Sequence, residues 1–302
     1  MKFTILSHAG LNAAHDGVSV VVDPWLAGSC YWRSWWNFPE PDPAVIEGLK
    51  PDFIYLTHLH WDHFHGPSLR RFDRGTPILV PKLLTRRMVD DLEWLGFTDV
   101  REIPHGGAVK LGPDFTLHSF QFGPGADSAV VLVGGGTTLL NVNDCKFFGL
   151  PLRALLKRFP RPDFVFRSHS SASAIPYCIE DYEKNFPALR TQADYEEEFA
   201  RFAIYCGARH AVPFASNHCF LHRDTVRFNR MAVSPQAAAD RCDALAAEAG
   251  AQTRAVVMPP GSAWSEEEGF RLAHFDYCTS SDVLRQVGSG FSGEMASSGV
   301  DI

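Results

Sequence analysis

The sequence has too few basic residues to provide a nucleic-acid-binding face. Its 28 Lys and Arg are outnumbered by 35 Asp and Glu, which gives a formal net charge of −7. Nucleic-acid binding relies on a basic surface. No apolar run approaches the ~20 residues of a membrane span. The first residues also lack the basic start and apolar core of a signal peptide. We therefore expect a cytoplasmic protein with neither a nucleic-acid partner nor a membrane partner.

The cysteines lack any paired spacing. There are seven, an odd number, scattered between Cys30 and Cys278 with no Cys-x-x-Cys pair. This pattern excludes a disulfide framework and a zinc ribbon. We expect reduced and mostly buried thiols.

The order of strands and helices predicts a single large α/β domain. Phe3–Ser7 and Val18–Asp23 are predicted to be paired strands, and Ala255–Met258 the last clear strand. The chain divides into two halves that each begin with strands and proceed to helices, without a linker. A four-layer αββα sandwich is one arrangement that buries two such sheets against each other. We predict this domain over residues 1–278 and a Ser/Gly-rich tail over residues 279–302.

The strongest chemical signal is a histidine-rich loop at the end of a predicted strand. It reads His58-x-His60-x-Asp62-His63. Alternate residues of an extended segment point the same way, so His58 and His60 can bind one cation while Asp62 and His63 reach a second. Imidazole and carboxylate groups suit zinc, iron or manganese. We predict two metal ions here, with Asp62 also a catalytic residue.

A dinuclear site also needs a carboxylate shared by both ions. Asp144 follows the apolar strand Thr138–Val142 and is well placed for this bridging, catalytic role. The alternative role is to cap the N-terminus of the segment that follows.

These motifs resemble the metallo-β-lactamase superfamily, and within it the part of CMP-N-acetylneuraminate hydroxylases outside their Rieske domain. The resemblance spans roughly residues 3–265. The segments that carry it, besides the loop, are Asp23-Pro24-Trp25-Leu26, Trp35-Trp36, Ile54-Tyr55-Leu56-Thr57, Leu140-Asn141, Asp144-Cys145, Pro213-Phe214-Ala215 and Pro260-Gly261. The resemblance implies the αββα fold and a dinuclear metal centre.

Two departures from this pattern bear on the chemistry. The superfamily's third histidine ligand falls at Gly123, which leaves Asp127 or His118 to replace it. A carboxylate there moves the preference from zinc toward iron or manganese, and a di-iron β-hydroxylase of the superfamily is similar in this respect. The Cys-x-His…Cys-x-x-His pair of a Rieske cluster is also missing. A redox role would then require a separate electron-donor protein or a reducing substrate.

The resemblance also implies ligands and supporting residues elsewhere in the chain. The last metal ligand is predicted to be His218 or His222, which the sequence does not separate. Asp23 is predicted to hold a ligand histidine by its other ring nitrogen. His8 and His169 are expected to line the same pocket, and Lys146 is the first candidate to bind an anionic substrate group. The aromatic segment Tyr31–Phe38 predicts a pocket wall, a contact between copies in a homo-oligomer, or core packing.

Two enzyme classes agree with these features. The favoured one is a di-iron, O₂-dependent oxygenase or oxidase acting on a small polar metabolite. The alternative is a zinc-dependent hydrolase of an ester, lactone or phosphodiester. A non-catalytic metal-binding subunit is a third class, and the nearly complete ligand set argues against it.

Overall fold

A computed structural model describes residues 1–123, 127–171, 180–181, 191–222 and 225–277. It confirms the four-layer αββα sandwich. The first sheet has eight strands in the order β18-β17-β1-β2-β3-β6-β7-β8. In chain order they are β1 Lys2–Ile5, β2 Leu11–His15, β3 Val18–Val22, β6 Phe53–Tyr55, β7 Ile78–Pro81, β8 Val100–Ile103, β17 Ala263–Ser265 and β18 Gly269–Arg271.

The second sheet has seven strands in the order β16-β14-β13-β12-β11-β10-β9. They are β9 Ala108–Gly112, β10 Phe115–Phe122, β11 Asp127–Gly134, β12 Thr137–Asn143, β13 Phe164–Ser168, β14 His210–Phe214 and β16 Arg254–Ala255. A small third sheet joins β4 Ser29–Cys30, β5 Trp35–Asn37 and β15 His218–Phe220. Its strands β4 and β5 lie before and within the aromatic segment Tyr31–Phe38, and β15 begins at His218.

Alternating side chains along the strands explain why the two large sheets stack. In β11, Val130 and Leu132 pack into the core between the sheets, whereas Val131 packs into the cluster on the outer, helical face. Val20 and Val21 of β3 divide in the same way. A strand buried on both faces reads as a continuous apolar run, and that is how these segments read in the sequence.

Helices cover both outer faces. They are α1 Pro43–Glu47, α2 Gly66–Leu69, α3 Arg87–Trp94, α4 Gly149–Arg158, α5 Gln192–Cys206 and α6 Pro235–Glu248, with a 3₁₀ helix at Val226–Met231. Thr191 begins α5 with a capping box that it forms with Asp194, and Ser234 caps α6 through the amide of Ala237. No helix among the described residues combines the length and the apolar character that a membrane crossing demands.

Three expectations about the strands were wrong. Phe3–Ser7 and Val18–Asp23 do not pair with each other, because β2 lies between β1 and β3 and pairs with both. The segment predicted as Ala255–Met258 forms only the two-residue strand β16. The last strands of the described residues are instead β17 and β18, which return to the first sheet beside β1. The predicted tail, residues 279–302, lies outside the described residues.

Candidate metal centre

The parallel strands of both sheets end at one edge of the sandwich. β3 runs parallel to β6, and β12, β13 and β14 are parallel neighbours. Asp23 follows β3, and the loop that begins with Thr57 and His58 follows β6. Asp144 comes directly after β12. Because the carboxyl ends of parallel strands meet at the same edge, polar side chains far apart in sequence converge there.

Three groups of side chains at this edge bring their ligand atoms within 4.8 Å of one another. The first contains His58, His60 and Asp127. The second contains His8, Asp62 and His63. The third links them, since it joins His58 and His63 to Asp144. The Oδ1 atom of Asp144 lies 3.6 Å from His58 Nε2 and 3.7 Å from His63 Nε2. Asp144 therefore lies between the two groups, as a bridging ligand would.

Asp23 orients two of the histidines from behind. It accepts hydrogen bonds from the Thr57 hydroxyl at 2.6 Å and from His63 Nδ1 at 2.8 Å. Because Thr57 donates its only hydroxyl proton to Asp23, the hydroxyl oxygen can only accept from His58 Nδ1, which lies 2.9 Å away. Both histidines then carry their protons on Nδ1. Their Nε2 atoms face the site, and the Nε2 of His63 becomes a metal ligand once it has given up its own proton.

At His63 and Asp62, burial and the neighbouring charges shift the side-chain pKa in opposite directions. Burial alone would lower the pKa of His63, but the neighbouring carboxylates of Asp62, Asp144 and Asp23 raise it well above the ordinary value. Burial likewise opposes ionisation of Asp62, yet His63 and His8 hold its pKa well below the ordinary value. A proton on His63 thus partly neutralises a buried anionic cluster, and a metal cation would do so more completely.

Several buried polar atoms at this edge have no hydrogen-bond partner within the described part of the chain. They belong to His8 (Nδ1 and Nε2), His63 (Nε2), Asp127 (Oδ1), Asp144 (Oδ1), His169 (Nδ1 and Nε2) and His218 (Nδ1). His63 Nε2 lies 3.3 Å from Asp62 Oδ2, but not along a hydrogen-bonding direction. Buried polar groups are normally paired, so this cluster of donors and acceptors has the chemistry of an ion-binding site. Imidazole nitrogens and carboxylate oxygens fit two transition-metal ions.

His8 and His169, predicted to line the pocket, and His218, predicted as a metal ligand, lie at the same edge. Of these, His8 alone belongs to one of the three groups found among the described residues. His8 Nε2 is 3.2 Å from Asp62 Oδ2, which brings His8 into the second group itself. His169 is buried, and burial lowers its pKa to about 3. His218 is buried with its ring centroid 5.4 Å from that of His8, and burial lowers its pKa well below the ordinary value.

Three other predicted residues lie apart from the three groups. His222 is exposed, in contrast to buried His218. Lys146 is also exposed and lines a cleft of about 1380 Å³ between α4 and α5, together with buried Arg167. His118, the alternative to Asp127, accepts a hydrogen bond from Arg158 at its Nδ1 and packs on Phe159. Of the two candidates to replace the missing histidine, the structure therefore places Asp127 beside His58 and His60.

Two contacts in the site were missed from the sequence. The Tyr31 hydroxyl donates to Asp62 Oδ1 at 2.6 Å, and Asn143 Nδ2 donates to Asp23 Oδ2 at 2.6 Å. Tyr31 had been assigned only to an aromatic segment. Asn143 does carry a signal, because it immediately precedes Asp144 at a strand end.

Comparison with known proteins places the chain among relatives that are considerably longer. No family model matches it. A protein of Mycobacterium tuberculosis that bears the name Rieske 2Fe-2S iron-sulfur protein is 28% identical over 233 residues, which are 73% of this chain and 45% of that protein. The cytidine monophosphate-N-acetylneuraminic acid hydroxylase of Mus musculus is 29% identical over 153 residues, 48% of this chain and 26% of the hydroxylase. The chain thus spans less than half the length of these curated relatives.

Solved structures support the fold. The metallo-β-lactamase fold protein YhfI of Bacillus subtilis matches with a TM-score of 0.52 at 14% identity, over 87% of this chain and 98% of that one. The diiron β-hydroxylase CmlA of Streptomyces venezuelae matches with 0.57 at 17% identity, over 85% and 52%. An isothiocyanate hydrolase from Delia radicum gut bacteria matches with 0.60 at 17% identity, over 88% and 99%. The predicted resemblance to the superfamily is confirmed. These structures share the fold, and the donor groups above show where it could hold metal ions.

Proposed function

We propose that this chain, which has the metallo-β-lactamase fold, is a di-iron, O₂-dependent oxygenase or oxidase of a small polar metabolite. His58, His60 and Asp127 would hold one ion, and Asp62 and His63, with His8 or His218, the other. Asp144 would be shared between them. Bound iron would supply the redox chemistry that no side chain can supply by itself.

The position of Asp127 carries this proposal. Asp127 stands in one group with His58 and His60, where the superfamily pattern has a third histidine. Exchanging an imidazole for a carboxylate makes the ligand set harder and favours iron or manganese over zinc. One structure of the same fold agrees by its name, since it is a diiron β-hydroxylase.

The other residues of the site would hold and orient the ions and admit the substrate. Asp23 fixes the ring orientations of His63 and, through Thr57, of His58. His60 is exposed, so solvent and a small substrate reach the site from its side. His8, Asp62 and His63 are buried on the opposite side. We propose that electrons arrive from a separate donor protein.

The metal content of the purified protein tests the proposal. After expression in iron-supplemented medium, we expect two irons per chain, a visible absorption band, and O₂ consumption when a one-electron reductant is added. The matched variant Asp127→His should bind a larger share of zinc and lose the band. Asp114→His, which changes an exposed turn residue, should behave like the unmodified protein.

A zinc hydrolase remains the second candidate, because the isothiocyanate hydrolase shares the fold over nearly its whole length. Zinc would lower the pKa of a bound water to near ~7, which makes hydroxide available at neutral pH. Two zinc ions per chain, no colour and no O₂ consumption would contradict the oxygenase proposal and favour the hydrolase.

A further inference from the structure

We propose that four aromatic residues form a one-electron path between the metal centre and the protein surface. They are Trp35, Tyr31, Trp61 and Trp32, which we call the aromatic path. The path gives the proposed oxygenase a route by which electrons enter the buried site, so it rests on that function. Its geometry, however, can be tested without O₂ chemistry.

The inner end of the path touches the metal centre at two points. The Tyr31 hydroxyl donates to Oδ1 of Asp62, whose Oδ2 faces His8 and His63. The Trp35 ring stacks on His218 with centroids 3.7 Å apart and planes 7° from parallel. Trp35 and Tyr31 contact each other, with their ring centroids 4.9 Å apart. Tyr31 therefore reaches the metal centre directly through Asp62, and through Trp35 it reaches His218.

The outer end continues from Tyr31 to solvent. Tyr31 and Trp61 stack with centroids 5.7 Å apart and planes 15° from parallel. Trp61 and Trp32 follow at 4.8 Å. The exposed fraction rises along the path, from 9% for Trp35 to 45% for Trp61 and 82% for Trp32. The path therefore runs from the buried site to a ring that an external donor can contact.

The backbone that carries Tyr31 and Trp32 has an unusual conformation. Tyr31, Trp32 and Arg33 have φ angles of 51°, 55° and 64°, a left-handed region that residues other than glycine rarely adopt. Hydrogen bonds from Ser34 N to the Tyr31 carbonyl and from Trp36 Nε1 to the Arg33 carbonyl help to hold this turn. Such strain in consecutive residues is typical of functional sites.

The hydrogen bond to Asp62 gives Tyr31 a partner for its proton. Bound iron and O₂ would supply the one-electron oxidant. When Tyr31 loses an electron, its phenol proton moves along the hydrogen bond to Asp62 Oδ1. An electron from Trp61 then reduces Tyr31, and the proton returns from Asp62. Trp32 reduces Trp61 in turn. A one-electron donor protein in solution finally reduces Trp32, so the path is restored and one electron has entered the site.

A photo-oxidation experiment tests the path without iron. The zinc-loaded protein is flashed with a soluble ruthenium photo-oxidant, which removes electrons from exposed tryptophans, and radicals are recorded by electron paramagnetic resonance. We expect a tyrosyl radical that disappears in Tyr31→Phe and decreases severalfold in Trp61→Phe. The variant Trp94→Phe is the matched control. Trp94 is 81% exposed and lines the same cavity as Tyr31, Trp32 and Trp61, but no described ring contact joins it to them. A radical that survives in Tyr31→Phe would overturn the proposal.

A second experiment examines the link to the metal centre. The iron-loaded protein is treated with hydrogen peroxide in the absence of substrate, and oxidised tryptophans are located by mass spectrometry. We expect oxidation at Trp32 severalfold above that at Trp94, falling to the Trp94 level in Tyr31→Phe. Equal oxidation of Trp32 and Trp94 in the unmodified protein would overturn the link. Because the first experiment uses zinc, failure of the oxygenase proposal leaves its result intact.

Discussion

Asp23 orients side chains of the site through hydrogen bonds to three different residues. It is fully buried and accepts four hydrogen bonds, from the Thr57 amide and hydroxyl, His63 Nδ1 and Asn143 Nδ2. Thr57 and His63 belong to the first sheet and its loop, whereas Asn143 ends a strand of the second. One carboxylate therefore sets the orientation of donor residues from both sheets.

We predict that Asp23→Asn weakens metal binding by about 10–100-fold. The amide keeps the shape of the carboxylate, but its nitrogen cannot accept a hydrogen bond from Thr57, His63 or Asn143. Metal affinity can be measured by competition with a chromophoric chelator. Asp52→Asn is the control, because Asp52 accepts hydrogen bonds from Ser19 at the exposed end of the same sheet. Equal affinities in both variants would contradict this role of Asp23.

His63 should release a proton when metal binds. Nearby carboxylates raise its pKa well above the ordinary value, so the metal-free protein carries this proton at neutral pH. A metal ion needs the neutral imidazole, so binding displaces the proton and affinity rises with pH. Calorimetry in two buffers with different ionisation enthalpies measures the number of protons released. A binding enthalpy that does not depend on the buffer would contradict the prediction.

At the scale of residues, the sequence predicted those site residues that stand close together in one short motif. His58, His60, Asp62 and His63 stand together in one loop. Asp127 was predicted only as one of two alternatives, because its role depends on how β10 and β11 align. Tyr31 was missed, because its contact with Asp62 spans 31 positions and requires a left-handed turn that no glycine signals.

At the scale of elements, long apolar strands were predicted well and short polar ones poorly. β2 has the sequence Leu-Asn-Ala-Ala-His, and alanine and asparagine both have low strand propensity. It forms a strand because β1 and β3 supply hydrogen-bond partners on both sides. The three-residue strands β5 and β15 pair across a long separation in sequence, which a local pattern cannot reveal.

The contact between β10 and α4 predicts an acid-sensitive step in stability. Burial, with the guanidinium of Arg158, lowers the pKa of His118 to about 4, from an ordinary value of 6.5. Below pH 6.5 the unfolded chain therefore binds a proton that the folded chain does not. This contribution to the free energy of unfolding is complete above pH 6.5 and is lost as the pH falls toward 4.

The variant His118→Gln isolates this contribution. We expect the difference in unfolding free energy between the unmodified protein and this variant to shrink as the pH falls from 6.5 to about 4. Chemical denaturation with a chelator present measures it without interference from metal binding. His105→Gln, which replaces an exposed histidine, is the control. A difference that stays constant over this range would contradict the assignment.

At the scale of the molecule, the layer order was predictable because each half begins with strands and continues with helices. The return of β17 and β18 to the first sheet was not, because the chain must cross from the end of the second sheet back to β1. The limits of the domain stay a prediction, as do the compartment and a homo-oligomer.

Removing metal should destabilise the whole molecule, because the donors come from both sheets. A ligand at 100 times its dissociation constant adds about 2.7 kcal/mol to the unfolding free energy. We expect a chelator to lower the midpoint of thermal unfolding by several degrees, measured by calorimetry. The double variant His58→Ala/His60→Ala should unfold at the same temperature with and without the chelator. An unchanged midpoint in the unmodified protein would mean that no metal is bound at this edge.

Because the donors converge on one edge, metal binding should slow local opening of the backbone at that edge more than at the opposite one. An ion shared by the loop after β6 and the end of β12 would tie the two sheets together at that edge. At the opposite edge the sheets are already joined by the apolar core and by the hydrogen bond from Thr137 to Glu266, neither of which involves a metal ion. Amide hydrogens near Leu56 and Val142 should therefore exchange with solvent much more slowly in the metal-bound protein, and those of the hairpin at Gly134–Gly135–Gly136 should hardly change. Local unfolding at this edge and metal binding would then be thermodynamically coupled.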